Sequence, residues 1–201
     1  MSDVTVLLEA ANAGSPGAED RLWEVVYEEL RRMAGEMMAR EYREVTLSGT
    51  VLLHEAWLRL AGPGATGAVW DSRSHFFAAA AEAMRRILVD QARARLRLKR
   101  GGGQVPTDLE HAAQLAAPEA DEKLLMVHEV LDELAREDPR KAHIVKLRFF
   151  AGFNYDEIAT ALGISGVTVR RQWKLARIWI IQALKGADSA ATLTDEGNAG
   201  G

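Results

Sequence analysis

The stretch from Asn154 to Arg177, NYDEIATALGISGVTVRRQWKLAR, limits what this chain can fold into more than any other. Tyr155, Ile158, Ala159 and Leu162 fall at the i, i+3, i+4, i+7 spacing of a short amphipathic helix. Gly163 follows, and glycine accepts a left-handed helix end without a Cβ penalty, so a tight turn is expected there. Ser165 can cap a second helix through its side-chain oxygen, with Val169, Trp173 and Ala176 as the buried stripe. Thr168, Arg170, Arg171, Lys174 and Arg177 are left largely outward. Two short helices, a glycine turn and a basic outer face on the second helix make a helix-turn-helix, whose second helix enters the DNA major groove. An ordinary helical hairpin shares the periodicity, but not the agreement of spacing, turn glycine, serine cap and charge.

A net charge of −4 looks wrong for a chain that meets DNA until the charge is mapped along the sequence. Residues 84–100 hold seven Arg or Lys against the single Asp90, and residues 165–185 hold five against no acid. Residues 101–140 hold ten acids against three bases. The consequence is two cationic surfaces separated by an acidic segment that DNA repels. The 201 residues, 48% of them hydrophobic, suffice for one domain or two small ones. No apolar run reaches the roughly 20 residues that span a bilayer, and the acids of MSDVTVLLEAANAGSPGAED do not suit a signal peptide. A cytoplasmic chain without membrane association is expected. Cysteine is absent, which excludes disulfides, thiol nucleophiles and thiolate-held metals, and His54, His75, His111, His128 and His143 never form a ligand pair. Neither catalytic residues, nor a metal, nor a cofactor are expected.

Along the chain, a short helix over 3–13 meets the breakers at 14–17. A long amphipathic helix follows over 18–40, its Met33, Met37 and Met38 read as core filling. Ser48 opens a helix over 48–62 that turns His54, Glu55 and Arg59 outward. His54-Glu55 begins like a zinc-protease HExxH helix, but Leu58 stands where the second histidine must be. GPGATG, 62–67, spells the dinucleotide fingerprint GxGxxG without the strand before it or the helix directly after it, and is read as a loop. Ser72 or Ser74 caps a helix from about 74 to 100, stopped by Gly101, Gly102 and Gly103. Arg93, Arg97 and Arg100 share one face of it, with Arg86 further back, in a row that suits phosphates. Helices are expected again over 121–135, from Pro139 through Phe150, and from the serine cap to Lys185. The fold class is therefore all-α: two small helical domains, 1–103 and 121–186, joined by an acidic linker, 104–120, the C-terminal domain being the helix-turn-helix. The polar tail 187–201 is expected to be disordered.

In this order and spacing, TLSGTVLLHEAWLRL, HFFAAAAEAMRRILVDQAR followed by KRGGG, and LRFFAGFNYDEIATALGIS followed by TVRRQWKLAR resemble one bacterial family. It is the sigma-70 family of sigma factors, in its small extracytoplasmic-function (ECF) and ECF-like class, and the resemblance covers about residues 5–185. It implies a non-catalytic subunit that binds core RNA polymerase, places it at promoters and helps open the DNA, with 1–103 as sigma domain two and 121–186 as sigma domain four. LLHEAWLRL then matches the helix that docks on the clamp coiled coil of the polymerase largest subunit, which makes His54, Glu55, Trp57 and Arg59 core-binding candidates. The usual pattern has an acid where this chain has Val51 and a glutamine where it has His54.

The helix from 74 to 100 corresponds to the one that reads the minus-ten element, with Arg86, Arg93, Arg97 and Arg100 on the DNA backbone. The loop 64–73 corresponds to the element that captures an unstacked base, and its one aromatic residue, Trp70, either stacks on that base or covers the core. The recognition helix reads the minus-thirty-five element through Thr168, Arg170, Arg171 and Lys174, with Ser165 and Arg177 towards phosphates. Many members carry a basic residue at the position of Gln172. Further partners implied are the flap of the second-largest polymerase subunit and an anti-sigma factor, although no residue marks a site for the latter. A helix-turn-helix regulator outside the polymerase is the alternative. It needs a sensor or dimerisation domain, where residues 1–100 offer a second basic helix and a docking helix instead.

Overall fold

A computed structural model of the chain describes residues 3–41, 48–61, 69–100 and 118–197. Its order is α1 (Asp3–Asn12), α2 (Ala18–Glu41), α3 (Gly49–Ala61), α4 (Arg73–Arg100), α5 (Pro118–Glu137), α6 (Pro139–Val145), a π turn (Lys146–Phe150), α7 (Tyr155–Leu162) and α8 (Gly166–Gly197). The fold is all-α, with no strand among the described residues. No helix of the described residues is long and apolar enough to cross a membrane.

The periodicities are buried as the sequence implies. Leu22, Val26, Leu30, Met33 and Met37 recur at three or four residues along α2 and are all at most 2% exposed. Leu52, Leu53 and Ala56 do the same for α3, and Phe77, Ala81, Met84, Leu88 and Ala92 for α4. Ser72 is the cap of α4, accepting from the His75 amide at 3.1 Å, and its hydroxyl also meets that of Ser74 at 2.9 Å. Asp138 caps α6 by accepting from the Lys141 amide at 2.9 Å, with Pro139 at the first helical position, where its missing N–H costs nothing.

Three elements differ from expectation. α5 begins at Pro118 rather than Asp121, because proline suits a first helical turn as well as a linker. The helix expected to run unbroken from Pro139 to Phe150 widens into the π turn, which leaves Phe149 41% exposed and Phe150 3% exposed. α8 does not stop at Lys185 but continues to Gly197. Extending a formed helix needs no new nucleation, and Ala187, Ala190, Ala191 and Leu193 are good helix formers. The reading of 62–67 as a loop, and nearly all of the linker 104–120, lie outside the described residues.

The two halves of the chain are packed together. One apolar cluster runs from Val4 to Ala176, and α4 lies against both α5 and the π turn.

Candidate nucleic-acid interface

The α7–α8 hairpin is built from its caps. Asn154 accepts from the amides of Asp156 and Glu157, each at 2.9 Å, while the Glu157 carboxylate accepts from the Asn154 amide at 2.8 Å. This capping box satisfies donors at the start of α7. At the far end Gly163 is left-handed, at φ 62° and ψ 36°, and the Ile164 amide reaches back to the Ala159 carbonyl at 3.0 Å. Ser165 then caps α8, accepting from the Thr168 amide at 3.1 Å, and its oxygen also lies 2.8 Å from the Thr168 hydroxyl. Two of the residues expected to touch DNA are thus joined to each other.

Val169 and Ala176 are fully buried on α8, and Trp173 is half-buried. At about 100° per residue, Arg171 points nearly opposite Val169 and Ala176, and Arg170, Lys174 and Arg177 share the flank beside it. All four are exposed. The Arg170 guanidinium lies over the Tyr155 ring at 5.8 Å, which Arg148 also covers at 5.0 Å. Arg171, Lys174 and Arg177 form no hydrogen bond or ion pair with another described residue. Gln172 faces inward: its Oε1 is buried without a hydrogen-bond partner among the described residues, so this amide does not present its oxygen to a base or phosphate.

On α4, Arg86, Arg93 and Arg97 lie on one exposed face, and Arg86 donates to Glu82 at 2.9 Å. The Arg100 side chain lies outside the described residues. The other two arginines of this rod turn away from that row. Arg85 is only 3% exposed, and Arg95 holds Asp121 through bonds of 2.9 and 2.6 Å.

The core-binding candidates on α3 divide. His54 and Arg59 are exposed and Glu55 is half-buried, while Arg59 reaches Asp90 on α4 at 3.3 Å. Trp57 is half-buried between Trp23, 4.7 Å between ring centroids, and Phe76, 6.4 Å, so packing accounts for most of its surface. Trp70 is half-buried with its ring edge-on to Phe76 at 5.5 Å and His75 at 5.7 Å.

Glu82 and His128, between α4 and the C-terminal half, have displaced acidities. Burial alone would raise the Glu82 carboxyl, but the hydrogen bond and charge of Arg85, with the Lys146 ammonium, outweigh it and hold it at about 2. Burial pushes the His128 imidazole down from its ordinary value, and the Arg85 charge adds to that. An Arg85 N–H donates to His128 Nδ1, which requires the neutral ring, and Nε2 lies 3.5 Å from Asp132.

Sequence reasoning missed Asn12, whose side-chain amide binds the Trp70 backbone, and the burial of Arg85. The capping box was legible as Asn154-x-x-Glu157. The spacing put Arg85 on the buried side, four residues after Ala81 and three before Leu88, but could not name its partners on α5, 43 and 47 residues away.

A search of the curated proteins and one of the solved structures each found no match. A family model described as ECF sigma factor matches residues 1–186, which takes in both cationic helices, the α3 face and the hairpin. The chain belongs to the ECF sigma factor family.

Proposed function

We propose that this sigma factor reads two promoter elements with its two cationic helices. Family membership makes core RNA polymerase and promoter DNA its partners and promoter-specific transcription its role. α8 reads the minus-thirty-five element from the major groove through Arg171, Arg170, Lys174 and Thr168, with Ser165 and Arg177 on flanking phosphates. α4 tracks the minus-ten element with Arg86, Arg93 and Arg97, and with Arg100 at its end. α3 docks on the clamp coiled coil of the largest subunit through His54, Glu55 and Arg59, and the C-terminal helices meet the flap of the second-largest subunit. Trp70 covers the core in this reading, since its ring contacts are internal. An anti-sigma factor, if the cell has one, acts by covering these same faces.

The observation that carries the reading is the row of exposed cations Arg171, Lys174 and Arg177, unpaired among the described residues, on the second helix of a capped hairpin. Such a row makes phosphate contacts at no cost in broken ion pairs. The test is transcription in vitro with purified core polymerase on genomic templates, with start sites mapped by sequencing. Defined start sites preceded by two recurring elements are expected. Initiation indistinguishable from core polymerase alone overturns the proposal.

A further inference from the structure

The first turn of α8 puts carbon rather than charge at the centre of its outer face. Val167 is 71% exposed. At about 100° per residue it points nearly opposite the buried Val169 and Ala176, one turn before Arg171 and two before Lys174. A valine so placed adds little to the fold, because its branched side chain lowers helix propensity and it buries almost none of its surface.

The polar groups around it are already engaged. Ser165 Oγ accepts from the Thr168 amide at 3.1 Å and lies 2.8 Å from the Thr168 hydroxyl, so these two hydroxyls serve the cap and each other. On the Gly166 side, an added Cβ would lie 3.3 Å from Asp156 Oδ1 and 3.5 Å from an Arg170 guanidinium nitrogen, which places those two side chains together beside the turn. The isopropyl group of Val167 is left as the outward surface.

In a helix-turn-helix, the N-terminal residues of the second helix come nearest to base edges in the major groove. Four kinds of base edge are available there, and only thymine carries a methyl group, on C5. Against the donors and acceptors of the other edges an isopropyl group displaces water and replaces no hydrogen bond, whereas against a thymine methyl it removes apolar surface from water on both sides. Valine also has one strongly preferred side-chain rotamer in a helix, and the Ser165 cap and left-handed Gly163 fix the turn that carries it. Little freedom is left to lose on contact. We propose that Val167 reads thymine: its methyl groups pack on the C5 methyl of one thymine in the minus-thirty-five element and set the base preference at that position. The assignment rests on α8 lying in the major groove, as proposed above, and adds to it the identity of one base.

The probe is DNA that differs by that methyl group alone. Full-length protein with core polymerase is used to select a site from duplexes with a randomised core, and each thymine of the selected site is then replaced by uracil, one at a time. At one thymine, uracil should weaken binding about three- to fivefold, the worth of one buried methyl. Val167→Ala, at unchanged helix content, should bind the thymine and uracil duplexes equally. A second arm needs no substitution in the protein: with a C·G pair at that position binding should fall, and 5-methylcytosine should recover part of the loss. Uracil tolerated at every thymine, a thymine preference that Val167→Ala leaves intact, or 5-methylcytosine no better than cytosine overturns the assignment while leaving α8 as the DNA-reading helix. Selection of no sequence at all overturns that reading, and the assignment with it.

Discussion

The side chain of Asn12 closes a reciprocal pair of hydrogen bonds with the backbone of Trp70. Its Nδ2 donates to the Trp70 carbonyl at 3.0 Å and its Oδ1 accepts from the Trp70 amide at 2.9 Å. The end of α1 thereby fixes the entry to α4 and holds the tryptophan ring against Phe76. Asn12→Ala should destabilise the protein by about 1 to 2 kcal/mol, since each bond of this kind is worth about 0.5 to 1.5 kcal/mol net. Urea denaturation checks the loss, and hydrogen exchange at the Trp70 amide should accelerate more than at amides inside α4. An unchanged exchange rate there would show that the bond does not hold this segment.

The hairpin that presents α8 depends on two backbone devices. Asn154→Ala removes the acceptor for two amides and should cost about 1 kcal/mol, within the range of about 0.5 to 2 known for such caps. Gly163→Ala should cost a comparable amount, about 1 kcal/mol, for a different reason: nothing lies within 4 Å of an added Cβ, so the penalty is the left-handed backbone alone. Urea midpoints should fall for both, and Asn should rescue position 163 better than Ala, because it tolerates that conformation. Equal stability of the Asn and Ala variants at 163 would mean the turn has relaxed away from positive φ.

Acid should weaken the protein in two stages. His128 is held neutral, facing Arg85, Asp132, Arg93 and Glu82, and burial with Arg85 lowers its pKa. His143 is lowered in the same direction by burial, with Lys146 and His75 adding to it. A histidine lowered on folding takes up protons more readily in the unfolded chain. Its contribution is therefore complete above about pH 6.5 and is lost as pH falls towards the depressed value. Glu82, held at about 2, contributes fully above its unfolded value and loses that contribution as pH falls below about 4.3. Denaturation midpoints between pH 8 and about 2 should decline from about pH 6.5 downwards and more steeply below about 4.3. His128→Gln should flatten part of the first decline. A flat profile between pH 7 and 5 would refute the neutral, buried histidine.

How far the fold was legible follows from the range of the interactions involved. α2, α3 and α4 were readable because burial along one helix leaves a period in the sequence, and Leu22, Val26, Leu30 and Met33 carry it without gaps. The hairpin was readable because its caps are local, all within about three residues of the ends they serve. What joins the halves left no such trace. Arg85 shares the buried stripe of Ala81 and Leu88, but which groups meet it there is set by its closeness in space to Asp132 and His128. Local propensity likewise could not place the end of α8, since Gly186 is a stop in an isolated helix and a tolerated residue in a long one.

Arg171 is the sharpest test of the DNA-reading face. It points nearly opposite the buried Val169 and Ala176, and it forms no bond with another described residue, so its truncation leaves no internal partner stranded. Arg171→Ala should therefore leave the denaturation midpoint within about 0.5 kcal/mol of the parent. If the guanidinium reads a base, promoter affinity should fall by about 1 to 3 kcal/mol with relaxed preference at one position of the minus-thirty-five element. Arg177→Ala, on the phosphate-facing flank, should weaken all sequences alike and lower the salt dependence by about one counterion. Binding of sequence-randomised duplexes at several salt concentrations separates the two. A uniform loss for Arg171→Ala, with the salt slope reduced as for Arg177→Ala, would move Arg171 from base reading to backbone contact. No loss for either would remove α8 as the DNA-facing helix.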